Sequence, residues 1–194
     1  MSKVTTRQQQ AKLIRVFRKI HRTMGAFLFV FFFIISISGL LLGWKKNSNG
    51  LLLAKSYHGT STELSEWLSI DSLHKRACAI IMDSVSKESS LELDRIDIRK
   101  DKGMVKFVFS EDFIGVQLDG ATGNLLHLET RRADFVEKIH DGSILDYYFG
   151  TSNGIIKLIY TSIMGTALLL FTITGFWLWY GPKRMRNQSH SDKD

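Results

Sequence analysis

The hydrophobic pattern is dominated by two uninterrupted stretches. From Met24 to Trp44 the chain reads MGAFLFVFFFIISISGLLLGW, 21 residues without a charge, and Leu158 to Gly181 adds 24 more. At about 1.5 Å rise per residue, each is long enough as a helix to cross a hydrocarbon layer about 30 Å thick. The pattern therefore predicts two transmembrane helices, 24–44 and 158–181, with residues 45–157 left between them for a folded aqueous domain.

Outside the spans the periodicity changes twice. Leu13, Phe17, Ile20 and Met24 recur at helical spacing, so an amphipathic lead-in from Lys12 is expected to run into the first span, after a loose, unpatterned residues 1–11. The stretch from Asn47 to Glu66 is rich in turn residues and reads as a loop. Ser69 and Asp71 then resemble a helix start, and Leu73, Ala77, Ile80, Ile81 and Val85 continue with a 3.6 period to about Lys87. Alternation takes over in DRIDIRK, MVKFVFS and FIGVQLD, with turns at Asp101–Gly103 and Asp119–Asn124 and a further strand from Leu125 to Glu129. A helix before an antiparallel meander predicts an α+β module with the helix on one face of the sheet. A short interfacial helix from Arg131 to His140, ended by Gly142, precedes Tyr147, Tyr148 and Phe149, which read as an aromatic belt. Pro182 and a basic tail follow the second span.

Charge refines this picture. The formal net charge is +7, but residues 1–22 hold seven basic residues and no acid, whereas residues 45–157 hold 15 basic and 17 acidic ones. Basic flanks are retained on the cytoplasmic side. The expected topology therefore has cytoplasmic segments 1–23 and 182–194 and an extracytoplasmic domain at 45–157. Anionic headgroups are the expected partners of the basic ends. No basic helix or aromatic strand platform accompanies the charge, which argues against nucleic acid. The first apolar run exceeds the 7–15 residues of a secretory signal and lacks a small-x-small site before Trp44, so a retained anchor is expected. Cys78 is the single cysteine, which excludes internal disulfides and thiolate clusters.

On the first span His21, Gly25, Leu28, Phe32 and Gly39 share one face, and on the second Thr161, Gly165, Thr172 and Phe176 form a stripe. Gly25, Gly39, Gly165 and Gly175 are read as helix-packing positions, because glycine lets membrane helices approach closely.

The combination of RKIHRTMGAFLF and ISGLLLGW in the first span, then IHDG before a second span ending ITGFWLWYGPKR, resembles the PepSY-associated transmembrane helix family. Between them VQLDGATGNLL looks like the strand, turn and strand of a PepSY domain. The resemblance runs from about Arg15 to Arg186. It implies two transmembrane helices flanking an extracytoplasmic PepSY module. Larger family members carry four or more spans, and some are similar to membrane reductases that handle iron and siderophores with haem b. The resemblance thus implies haem b as cofactor and carries His21 and His140 over as its iron ligands. With only two spans, an assembled site would draw on a second copy in a homodimer or larger complex, as a component of a membrane reductase at most.

The expected topology sets the two histidines at opposite membrane faces, so two haem sites are expected, one pairing His21 across a dimer and one pairing His140. A polar interfacial anchor is the competing role for His21, and a hydrogen-bonded loop histidine for His140. The competing function is a module that binds a peptide or protease outside the membrane, or an accessory subunit, with the spans serving as anchors. Asp119, Asp141 and Asp146 form no convincing acid pair, and no nucleophile or nucleotide signature is present.

Overall fold

A computed structural model describes residues 3–84, 91–110 and 113–191. The elements are α1 (Lys3–Trp44), α2 (Ile70–Ser84), β1 (Leu93–Arg99), β2 (Met104–Phe109), β3 (Ile114–Asp119), β4 (Leu125–Thr130), α3 (Arg132–Asp141), α4 (Ser143–Phe149) and α5 (Ile155–Ser191). They form two compact units, one from the chain up to Ser38 together with Ile139 onward, the other Gly39–Lys138.

In the first unit α1 and α5 run antiparallel along a seam with alternating three- and four-residue steps. The less exposed positions of α1 include Ile14, Phe17, His21, Leu28, Phe32 and Ile35, and those of α5 include Tyr160, Met164, Ala167, Phe171, Thr174 and Gly181. They meet in opposite order. Gly181 faces Ile14, Phe17 and Trp177 rings lie 6.3 Å apart, Gly25 faces Phe171, and Leu28 packs with Met164 and Ala167. A repeat of 3.5 residues keeps a straight stripe only if the helices coil left-handedly. Away from the seam the apolar side chains have no protein to cover them: Phe27 is 79% exposed, Phe29 62% and Leu158 66%. Two helices with that outer surface, long and apolar enough to cross a bilayer, belong in lipid, where backbone groups satisfied within each helix and an apolar exterior carry no penalty.

Both long helices exceed the apolar runs. The residues before Met24 were expected to be loose up to Ala11, yet α1 starts at Lys3, since glutamine, alanine, lysine and arginine propagate a helix already nucleated by the span. Likewise α5 passes through Pro182, which removes one backbone donor, and continues in good helix formers. Its start is capped from α4: the Asp146 carboxylate accepts from the backbone N–H of Ile156 at 3.0 Å and Lys157 at 2.7 Å, and from the Thr151 hydroxyl. Lys157 also pairs with Asp141.

The second unit holds a four-stranded antiparallel sheet in the order β1-β2-β3-β4. The helix α2 lays Leu73, Ala77 and Ile81 on one face, against Val105, Phe107, Val116 and Leu118. Each fully buried Leu or Ile of that interface stabilises the unit by about 1.5–3 kcal/mol. The predicted continuation of this helix to Lys87 lies outside the described residues. The opposite face is also covered, by the segment around Lys55–Thr60 that had read as a loop. The Gln117 side chain accepts from the Tyr57 N–H at 3.1 Å and donates to the Lys55 carbonyl at 3.0 Å, and the Gly59 N–H donates to Lys102 at 2.8 Å. This strap explains why every residue of β3 is buried, polar ones included: Gln117 donates to Glu129 at 2.6 Å, and Glu129 pairs with Lys106.

Candidate functional site

His21 sits on the seam face of α1, where the turns of the two helices bring it to α5. Its Nδ1 is 2.9 Å from Thr174 Oγ1, and its ring stacks on Phe171 with centroids 3.8 Å apart. Gly175 lies against the ring, where a Cβ would come into van der Waals contact with His21 Cε1 at 3.4 Å. His140, near the end of α3, places Nδ1 2.9 Å from Ser38 Oγ on α1. Both hydroxyl-bearing residues are buried, Ser38 at 5% exposure and Thr174 at 3%. Among the described residues neither Nε2 has a hydrogen-bond partner. Ser38 lies 17 residues beyond His21 on the same helix, about 25 Å along its axis, so the two imidazoles belong to separate places.

A groove of about 460 Å³ opens between α1 and α5 beside His140, walled chiefly by apolar side chains such as Phe32, Tyr160, Met164 and Phe171. This is within the size range of small-molecule and cofactor sites. His21 does not line it, but Phe171, stacked on His21, does. Asp141, the carboxylate in the wall, is engaged by Lys157 and by the Ser143 N–H and hydroxyl.

The glycines separate by environment. A Cβ on Gly25 would come within 3.1 Å of Phe171, whereas nothing lies within 4 Å of the corresponding position on Gly165, which lines the groove. The stripe expected on the second span is displaced: Thr161 and Thr172 are exposed and donate to their own helix, to Lys157 and Leu168. The face turned to α1 carries Thr174 instead, because residues two apart on a helix point in nearly opposite directions.

Of the other histidines, His190 lies near the end of α5 and three belong to the sheet module. His74 stacks on Phe107 and lies 3.4 Å from the Cys78 sulfur, His127 packs beside Tyr57, and His58 is exposed. Among the described residues no three His, Cys, Asp or Glu side chains cluster as a metal site would require. Sequence reasoning passed over Ser38 and Thr174. A signal was present, since each is the fourth residue of a five-residue pattern that glycine closes, ISISG on α1 and FTITG on α5.

The family model for the PepSY-associated TM region matches residues 18–192. No curated protein and no solved structure matches the chain.

Proposed function

Because the chain belongs to the family of PepSY-associated TM regions, we propose that this membrane-associated PepSY protein carries haem b in the bacterial inner membrane and relays electrons across it, in the service of iron or metal uptake. The observation that supports the reading most is the state of the two histidines. Each is tied by Nδ1 to a buried hydroxyl and leaves Nε2 without a partner among the described residues, the arrangement of an imidazole held ready to bind a metal. The donor set suits haem, which takes neutral imidazole as an axial ligand, and His140 borders an apolar groove.

In this proposal His21 pairs with His21 of the partner subunit near the cytoplasm and His140 with His140 of the partner subunit outside, in a homodimer. Ligation by two imidazoles leaves the iron no open position, so the group supplies one-electron exchange rather than substrate binding. The chain's own contribution is to hold two imidazoles about 25 Å apart along α1, and to place Phe171 against His21 and in the groove wall. Both termini face the cytoplasm, and residues 45–157 form the extracytoplasmic PepSY module.

Membranes containing the protein are expected to show a reduced-minus-oxidised b-type absorbance that falls by about half in either His21→Ala or His140→Ala and vanishes in the double variant. A purified wild-type protein without colour would sink this reading and favour an anchored module that binds a peptide or protease.

A further inference from the structure

Resting on the reading of His21 and His140 as metal ligands, we propose that Ser38 and Thr174 are positioning residues that hold His140 and His21 in a single tautomer, with the proton on Nδ1 and the Nε2 lone pair turned over to the ligand. The argument is a proton count. A serine or threonine hydroxyl carries one proton. Ser38 gives its proton to the Ile34 carbonyl at 2.6 Å, with the Ile35 carbonyl at 3.2 Å as second acceptor. Thr174 does the same toward Leu170 at 2.8 Å and Phe171 at 3.1 Å. With that proton committed, the hydroxyl oxygen accepts from the imidazole 2.9 Å away, so Nδ1 is the N–H donor in both rings. A neutral imidazole protonated at Nδ1 carries its lone pair on Nε2.

The opposite tautomer is the costlier one here. It would put an N–H on Nε2, where no acceptor is found among the described residues. It would also pull the hydroxyl proton away from the helix carbonyls.

Two neighbouring residues mark the arrangement as specific. Ser36 and Thr172 also donate back to their own helices, to Phe32 at 2.7 Å and Leu168 at 2.9 Å, yet both are exposed and neither hydrogen-bonds to a described histidine. In ISISG and in FTITG alike, only the second hydroxyl turns to the seam. The device is used twice and crosswise: the hydroxyl of α1 orients the histidine of α3, and that of α5 orients the histidine of α1. Ligating histidines commonly donate their other ring N–H to such an acceptor, which fixes both tautomer and ring plane.

Nitrogen NMR of ¹⁵N-histidine protein in detergent micelles without haem reads the tautomer directly. The signals lost in His21→Gln and in His140→Gln are expected to show a protonated Nδ1 and a bare Nε2. Ser38→Ala should disturb His140 alone and Thr174→Val His21 alone, while Ser38→Thr and Thr174→Ser restore the wild-type signals, and Ser36→Ala and Thr172→Val change neither ring. Protons on Nε2 in the wild type, or rings indifferent to Ser38→Ala and Thr174→Val, overturn the proposal. Haem titration gives a second readout, with affinity expected to fall about 10–100-fold in each of those two variants; equal affinity would also overturn it. A wild-type protein that takes up no haem but shows both Nδ1–H rings would refute the haem reading while supporting the positioning roles.

Discussion

Asp119, at the end of β3, shows how one side chain can close a turn. Its carboxylate accepts from the Thr60 N–H and hydroxyl, the Thr122 hydroxyl and the Ala121 N–H, all between 2.9 and 3.2 Å. Burial pushes its pKa up, but the Thr60 and Thr122 hydroxyls and the Ala121 and Thr60 amides outweigh that and bring it below the ordinary 3.8. A carboxyl whose pKa is lower folded than unfolded adds stability above the unfolded value, and that stability is lost as pH falls through the folded one. Asp119→Asn is therefore expected to cost about 2 kcal/mol at neutral pH. Its melting curve should approach that of the wild type as pH falls below the unfolded carboxyl pKa and converge on it below the lower, folded one; a gap independent of pH would show that the charge is irrelevant. Gly59 matters for a different reason, because a Cβ there would collide with the Gly103 backbone where the strap crosses the sheet. Gly59→Ala should lower the melting temperature of the protein in micelles, whereas Gly43→Ala, with open space around it, should not. Gly59 looked like loop punctuation in the sequence, since a contact with a backbone 44 residues away leaves no local trace.

Among the elements, those with a short-range cause were legible. The strands followed from alternation and α2 from its 3.6 period and its start at Ser69, whose hydroxyl accepts from the Ser72 N–H at 3.2 Å. The helix α4 was not foreseen: Tyr147, Tyr148 and Phe149 read as a belt, and its boundaries come from two left-handed glycines, Gly142 and Gly150. The seam of α1 was half visible, through His21, Gly25, Leu28 and Phe32, while that of α5 was misread. The reason is that an apolar span offers lipid and protein the same kind of surface, so hydropathy does not tell the packed face from the bare one. Cysteine crosslinking in a Cys78→Ser background tests the register. Leu28→Cys with Ala167→Cys should form a disulfide, and Phe29→Cys with Leu168→Cys, on exposed faces, should not; the reverse result would rotate one helix away from the seam described.

For the whole molecule, the asymmetry of charge predicts the orientation. Reporters fused after Gly123 and after Arg186 should give opposite signals, extracytoplasmic and cytoplasmic respectively, and equal signals would contradict the proposed hairpin. This much was determined by the sequence alone: two spans, a small α+β module between them, and the family, because length, hydropathy, alternation and a few spaced motifs are properties of neighbouring residues. Tertiary structure decided the rest. It set Ser38 against His140 and Thr174 against His21, residues 102 and 153 positions apart, drew the strap over β3, and chose which stripe of α5 meets α1. Those choices depend on how two separately stable surfaces fit, and a linear pattern that makes each surface says nothing of which partner it will meet.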